Sequence, residues 1–245
     1  MKEIISLSNP YIKYLEKLYD KKTRELEGLY IVEGYHLVNE AREVNLLKTA
    51  LITTIDNQID DVENIIVTKD IIKKLSKTKN PQDIIGICYI NKKNTKLGNR
   101  VLVLDNINDP GNLGTLLRAA LGFNFNDIII SNDTVDLYND KVIRSAQGAH
   151  FKLNIIKTDL LEYLKILKDK GYKIIATSLE SAKYLKDLEP VEKCAVILGN
   201  EANGVSSSVI LKSDINVKIN INERLESLNV SIAGAIIMHH INEWM

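Results

Sequence analysis

The sequence predicts an α/β protein whose larger part is built on a parallel sheet with helices on both faces. From Arg100 onward, apolar strand-like runs alternate with segments of helical period. Those runs are rich in Ile, Val and Leu and barely alternate with polar residues, as is typical of strands buried on both faces. A lysine-rich stretch without apolar period, Asn91 to Asn99, separates this part from a smaller α/β segment before it.

The first segment, residues 1–96, mixes helices and strands. Pro10 suits the first turn of a helix, and Ile12, Leu15 and Leu18 recur at helical spacing, which predicts a helix over "NPYIKYLEKLYDKKTR". Further strands are predicted at "GLYIVEG", "LLKTALIT", "NIIVT" and "DIIGICYI", and further helices at "YHLVNEAREV" and "KDIIKKLS". We therefore expect one small α/β domain, ending in a linker at Asn91–Asn99.

The second segment, residues 97–245, repeats a strand–helix order. The predicted strands are "RVLVLDNI", "DIIIS", "FKLNII", "YKIIATS", "CAVILGN" and "INVKIN". The predicted helices lie in "GNLGTLLRAALGF", "NDKVIRSAQG", "LLEYLKILKDKG", "SSSVILKS" and "SLNVSIAGAIIMHHINEW". This order favours a second domain with a parallel sheet.

Composition limits the class of protein. Of 245 residues, 45% are hydrophobic and 26% charged, as in ordinary globular proteins. The start, "MKEIISLSNP", is too polar for a signal peptide, and no apolar run reaches the length of a membrane span. Cys88 and Cys194 lie in apolar runs, which favours buried thiols over a disulfide or a metal site. We expect a cytoplasmic protein without a metal ion.

Charge is segregated although the formal net charge is zero. Between Lys69 and Arg100 there are nine Lys/Arg against two Asp/Glu, whereas between Glu25 and Glu63 there are nine acids against two bases. A basic face would attract a phosphate backbone. The alternative interpretation is a run of solvated lysines without a binding role.

Three turns rich in Gly, Asn or Glu follow apolar strands of the second segment. They are "DPGNLGTLLR", "VILGNEANGVS" and "NERLESLNVSIAGA". In an open parallel sheet, such strand ends form the ligand crevice. The first turn has neither the Gly-Lys-Ser/Thr of a nucleotide P-loop nor a dinucleotide fingerprint, which disfavours nucleotide hydrolysis and a nicotinamide oxidoreductase.

The three turns together closely resemble the SpoU (or TrmH) branch of the SPOUT-class RNA methyltransferases. The first motif matches at Asn112, Arg118 and Phe123, the second at Gly199-Asn200-Glu201 with Gly204, and the third at Glu226–Val230. "RSAQGAHF", Arg144 to Phe151, is similar to the family's middle region. The first segment resembles the L30e-like substrate-binding domain of the ribosomal RNA members.

This resemblance implies a SPOUT domain with a C-terminal trefoil knot in residues 97–245, preceded by an RNA substrate-binding domain in residues 1–96. It implies methyl transfer from S-adenosyl-L-methionine to a ribose 2′-hydroxyl, with large-subunit ribosomal RNA as the expected substrate and a homodimer as the expected assembly. The implied catalytic residues are Arg118, Asn112, Glu201, Ser227 and Asn229. The implied cofactor-binding residues are Leu198, Gly199, Asn200, Ile219, Leu228 and Asn229.

Arg118 has two possible roles. The family's proposed base is this arginine, but neutralising a guanidinium near pH 7 costs on the order of 7 kcal/mol. Arg118 could instead remain charged, hold an RNA phosphate and stabilise the developing alkoxide. Asn112 and Asn229 also stand where helix caps are expected.

Two other functions remain open from the sequence. One is a transfer RNA 2′-O-methyltransferase, and the other is a non-catalytic RNA-binding protein that retains the fold. The chain also departs from the family's pattern in the loop before the third motif, where Asn220 and Glu223 stand near positions that usually hold Pro and Gly.

Overall fold

The structure is a computed structural model that describes residues 1–91, 94 and 96–244. The middle of the predicted linker, at Lys92, Lys93 and Thr95, lies outside the described residues. The chain divides into two compact units. The amino-terminal unit comprises Met1–Lys92 and Tyr138–Phe151, and the carboxyl-terminal unit comprises Lys93–Leu137 and Lys152–Met245.

The amino-terminal unit is built on a five-stranded mixed sheet of order β1-β4-β3-β5-β2. Its strands are β1 (Lys2–Ile4), β2 (Leu29–Glu33), β3 (Leu47–Ile52), β4 (Glu63–Val67) and β5 (Ile84–Tyr89). Its helices are α1 (Pro10–Lys17), α2 (Lys21–Glu27), α3 (Tyr35–Glu43), α4 (Lys69–Leu75) and α6 (Asp140–Ala146). β1 pairs with β4, and β4 with β3, in parallel, while β5 runs antiparallel to β3 and β2.

The predicted first helix is interrupted, and the interruption has a local cause. α1 ends at Lys17, and Asp20 caps α2 by accepting a hydrogen bond from the Thr23 amide at 2.9 Å. The buried guanidinium of Arg24 then donates to the carbonyls of Leu18 and Tyr19, at 3.0 and 2.7 Å. These bonds satisfy carbonyl groups that a continuous helix would have used internally.

The segment Tyr138–Phe151 belongs to the amino-terminal unit, although it lies far from the other residues of that unit in sequence. The Tyr30 hydroxyl and His150 Nε2 are 3.1 Å apart, and the Phe151 ring contacts His150 at a centroid distance of 4.0 Å. Burial lowers the pKa of His150 to about 3, so its ring is neutral. The "RSAQGAHF" region is therefore part of a hydrophobic core in this unit.

The carboxyl-terminal unit confirms the predicted parallel α/β architecture. All seven strands pair in parallel, in the order β10-β12-β9-β11-β6-β7-β8. The strands are β6 (Arg100–Leu104), β7 (Asp127–Ser131), β8 (Asn154–Thr158), β9 (Lys173–Thr177), β10 (Lys183–Tyr184), β11 (Cys194–Leu198) and β12 (Ile215–Lys218). The helices are α5 (Pro110–Gly122), α8 (Leu160–Asp169), α9 (Ser207–Ile210) and α10 (Val230–Asn242); a one-turn helix, α7 (Ala149–Lys152), lies at the boundary with the amino-terminal unit in sequence.

The central strand β11 is buried along its whole length, as its unbroken apolar run predicts. Ala195 and Ile197 pack in a core with residues of α8, while Leu198 lies close to Gly234 of α10 on the opposite side. Both faces of the sheet are therefore covered. The predicted trefoil knot stays a prediction.

Candidate active site

The first two predicted turns lie side by side at the carboxyl edge of the parallel sheet. β6 and β11 are neighbours, and their last residues, Leu104 and Leu198, are register partners. The turn after β6 leads into α5, and the turn after β11 begins at Gly199. Parallel strands deliver both turns to one edge, which is where a ligand crevice forms in such sheets.

The turn after β11 folds back on itself. The Asn200 amide donates to the Gly204 carbonyl and the Gly204 amide to the Asn200 carbonyl, both at 2.9 Å. The Asn200 side chain accepts from the Ala202 amide at 2.9 Å and donates to the Asn106 carbonyl at 2.9 Å. A Cβ atom on Gly199 would lie 2.1 Å from the Gly204 carbonyl carbon, so this position requires glycine.

One chain of side-chain hydrogen bonds joins all three motifs. Asn112 Nδ2 donates to Glu201 Oε1 at 3.0 Å, and Asn229 Nδ2 donates to Asn112 Oδ1 at 3.0 Å. Asn229 also caps α10, because its Oδ1 accepts from the Ser231 amide at 2.9 Å and from the Ser231 hydroxyl at 2.6 Å. The cap and the contact with Asn112 use different atoms of Asn229, so the two roles are compatible.

Glu201 is the acceptor on which the turns converge. Besides Asn112, the backbone amides of Asn108 and Asp109 donate to its carboxylate, each at 3.3 Å. Partial burial on its own would raise the pKa of Glu201, but hydrogen bonds from Asn112 and from backbone amides outweigh it and hold the pKa below the ordinary value of a glutamate. Glu201 is thus a fixed negative charge that orients Asn112 and the start of α5.

Arg118 is not part of this chain of hydrogen bonds. It lies on α5 six residues after Asn112, which places it about 120° around the helix from that residue. Its side chain is exposed, and in the described part of the protein no carboxylate or carbonyl is bound to its guanidinium. The structure therefore leaves Arg118 free to bind an external anion.

The other predicted site residues surround the third turn. Ser227 is exposed and makes no side-chain hydrogen bond within the described ranges. Ile219 and Leu228, at the two ends of the loop between β12 and α10, are half-buried. Ile219 directly follows β12, as Gly199 and Asn200 directly follow β11, and Leu228 directly precedes the α10 cap Asn229.

Three supporting residues were missed from the sequence. Asp105 is buried, and its carboxylate accepts from the Ser206 amide at 2.8 Å, which ties the end of β6 to the end of the Gly199–Gly204 turn. Asp109 caps α5 by accepting from the Asn112 amide at 2.9 Å. The Ser231 hydroxyl donates a hydrogen bond to the side-chain oxygen of Asn229. Asp105 could have been recognised from the sequence, because an acidic residue there directly follows an apolar strand.

Glu201→Gln is expected to lower the free energy of unfolding by about 1 kcal/mol at neutral pH, because the substitution replaces an ionised acceptor by a neutral amide. The folded-state pKa of Glu201 is lowered, so its stabilising effect is present above the pKa of the unfolded chain and is lost as the pH falls through the folded-state pKa. Urea unfolding at several pH values measures the difference between wild type and variant.

The matched control is Glu162→Gln, which removes an exposed carboxylate that accepts no hydrogen bond from the described residues. A wild-type advantage over Glu201→Gln that stays constant down to pH 3 would contradict the role assigned to the ionised carboxylate.

Comparison with known proteins identifies the family. The profile of the SpoU rRNA Methylase family matches residues 99–239, and that of the MRM3-like substrate binding domain matches residues 9–86. The chain belongs to the SpoU rRNA methylase family and is an RNA-methylating transferase of that family.

Two similar proteins extend over almost the whole chain. The 23S rRNA (guanosine(2553)-2′-O)-methyltransferase RlmP of Bacillus subtilis is 32% identical over 98% of this chain and 99% of its own length. An uncharacterized tRNA/rRNA methyltransferase of Synechocystis is 29% identical over 96% of this chain and 92% of its own length.

Solved structures share the fold. A crystal structure of an AdoMet-bound rRNA methyltransferase from Sinorhizobium meliloti superposes with a TM-score of 0.89 at 24% identity, covering 99% of this chain and 97% of that one. The SpoU methyltransferase AviRb from Streptomyces viridochromogenes, in complex with AdoMet, gives 0.84 at 18% identity, covering 96% and 97%. The predicted SPOUT-type α/β fold is thereby confirmed.

Two features are absent from the described residues. No helix there has the length and apolar character needed to cross a membrane. No group of three or more His, Cys, Asp or Glu side chains in the same residues is arranged to hold a metal ion.

Proposed function

We propose that this protein transfers a methyl group from S-adenosyl-L-methionine to a ribose 2′-hydroxyl of large-subunit ribosomal RNA. The observation that carries the proposal is the hydrogen-bonded chain Glu201–Asn112–Asn229, which joins the three family motifs at one sheet edge. The full-length similarity to the Bacillus subtilis 23S rRNA 2′-O-methyltransferase favours this RNA as substrate.

The proposed cofactor site is the group of turns around β11. Leu198, Gly199, Asn200, Ile219, Leu228 and Asn229 would hold the adenosyl group. Gly199 fits this role because the missing Cβ lets the turn close tightly against the backbone of Gly204 and Val205, and the half-buried apolar side chains of Ile219 and Leu228 suit a purine. When bound, the cofactor supplies the methyl group on a sulfonium that is already a good leaving group.

The proposed catalytic role of Arg118 is that of a cation. Its guanidinium is exposed, so no described residue desolvates it. We propose that it binds an RNA phosphate, orients the 2′-hydroxyl and stabilises the alkoxide as the proton leaves to solvent. Glu201, Asn112 and Asn229 would fix the start of α5, and Ser227 would contact the substrate from the third turn.

We further propose a division of labour between residues 1–96, which bind the RNA substrate, and residues 97–245, which carry catalysis. The match of residues 9–86 to a substrate-binding domain supports the first assignment. Deleting residues 1–96 would be a poor test, because Tyr138–Phe151 packs in the same unit and would lose its core.

We also propose a cytoplasmic homodimer. Ile232 and Ile236 lie four residues apart on one face of α10 and are 53% and 39% exposed, which favours burial of this face against a second copy. Light scattering that returns the 27.6 kDa of a single chain would overturn this assignment.

The function is tested by methyl transfer. The protein is incubated with labelled S-adenosyl-L-methionine and either ribosomal or transfer RNA that lacks the modification, and the RNA is then digested to nucleosides. Label on a ribose 2′-oxygen of ribosomal RNA is the expected result. Label on a base would overturn the proposed reaction, and label confined to transfer RNA would overturn the proposed substrate.

A further inference from the structure

An exposed aromatic side chain on the carboxyl-terminal unit is flanked by two lysines. Tyr184 is 42% exposed. The ammonium group of Lys218 lies 5.0 Å from the ring centroid and that of Lys186 lies 5.9 Å from it. We call Tyr184 with these two lysines the Tyr184 patch.

Buried leucines anchor the backbone of the Tyr184 patch. Leu185 and Leu188 are buried, and a 3₁₀ turn at Leu185–Asp187 closes with a hydrogen bond from the Leu188 amide to the Leu185 carbonyl at 3.1 Å. The two leucines anchor the segment on both sides of Lys186. The exposed ring and ammonium groups are therefore displayed by a fixed backbone, which limits the entropy lost when a ligand binds.

The Tyr184 patch lies beside the proposed cofactor loop. β10 is the edge strand of the sheet, and Tyr184 is the register partner of Lys218, the last residue of β12. The residue that follows is Ile219, which we assign to the cofactor site. The Tyr184 patch is thus at the carboxyl edge of the sheet, the same edge that carries the three motifs.

The lysines of the patch carry charge that the protein does not neutralise. Across the described ranges, neither Lys186 nor Lys218 forms an ion pair, although Asp187 lies within the same segment. A base-sized ring flanked by unpaired ammonium groups matches an unpaired nucleotide, whose base stacks and whose phosphates attract cations.

We propose that the Tyr184 patch binds single-stranded RNA next to the methylated nucleotide, with an unpaired base stacked on Tyr184 and its flanking phosphates on Lys186 and Lys218. This inference rests on the proposed function. It adds a substrate contact on the catalytic side that none of the three motifs includes.

The test compares RNA methylation by the full-length protein and its variants. Tyr184→Ala is expected to raise KM for the RNA about 10-fold, with kcat and the Kd for S-adenosyl-L-methionine unchanged, because a lost stack weakens substrate binding alone. Tyr184→Phe keeps the ring and is expected to restore wild-type KM. Replacing Lys186 and Lys218 together with alanine is expected to reduce the salt dependence of RNA binding by about 1.4 units of log–log slope.

The controls match exposure and charge elsewhere in the same unit. Ile166→Ala removes an apolar side chain that is 43% exposed on α8, and the pair Lys165→Ala and Lys170→Ala removes two exposed lysines there. These variants are expected to bind RNA as the wild type does. An unchanged KM in Tyr184→Ala, or an equal change in the controls, would overturn the proposal that the Tyr184 patch binds RNA. The proposed function would still stand in that case, provided that the wild type methylates RNA. A wild type that methylates no RNA would overturn both.

Discussion

Arg118→Ala is expected to lower kcat for RNA methylation by about 100-fold or more, the usual cost of removing one group that stabilises transition-state charge. Stability and cofactor affinity are expected to remain near wild type. Arg118 is exposed and bonded to none of the described residues, so alanine breaks no intramolecular contact. Asn112, Glu201 and Asn229 keep their hydrogen bonds in this variant.

Single-turnover methyl transfer and calorimetric titration of the cofactor measure the two quantities separately. Arg118→Lys retains a charge but not the planar fork of donors, so partial activity would indicate that charge dominates over bidentate binding. Lys165→Ala is the control, because it removes an exposed cation on α8 of the same unit that forms no ion pair with the described residues. Wild-type kcat in Arg118→Ala would remove this residue from the mechanism.

Gly199→Ala is expected to lower the free energy of unfolding by about 2 kcal/mol or more and to abolish binding of S-adenosyl-L-methionine. The added methyl group would lie 2.1 Å from backbone atoms of Gly204 and Val205, so the turn must open to accept it. Opening would break the paired hydrogen bonds between Asn200 and Gly204 and displace Glu201.

Substitutions at two other glycines distinguish the effect of a steric clash from the effect of backbone strain. Gly204 has φ +69° with no atom within 4 Å of an added Cβ, so Gly204→Ala should cost only about 1–2 kcal/mol of left-handed strain. Gly122 ends α5 with ordinary φ and open space, so Gly122→Ala should be neutral or slightly stabilising. Chemical denaturation measures the free energy of unfolding of the three variants. An equal loss of stability in all three would contradict the steric explanation.

The sequence was sufficient for features that depend on neighbouring residues. Strand and helix periods predicted the parallel sheet, because apolar side chains must match the period of the element that buries them. Predicting helix caps at Asn112 and Asn229 required only knowledge of where each helix begins. The structure confirms the cap at Asn229 and corrects the one at Asn112. Asp109 is the cap of α5, whereas Asn112 lies inside the helix. The short edge strands β1 and β10 escaped detection, since two or three residues are too few to show a period.

The tertiary structure decided what depends on distant residues. The contacts of Glu201 with Asn112 and of Asn112 with Asn229 span 89 and 117 residues, and no local period encodes which amide faces which carboxylate. The same holds for His150, which reaches Tyr30 across 120 residues and places its segment in the amino-terminal unit. Sequence motifs therefore determined which residues could form the site. Packing of parallel strands determined which of them meet, because only the folded sheet brings separate strand ends within hydrogen-bond distance.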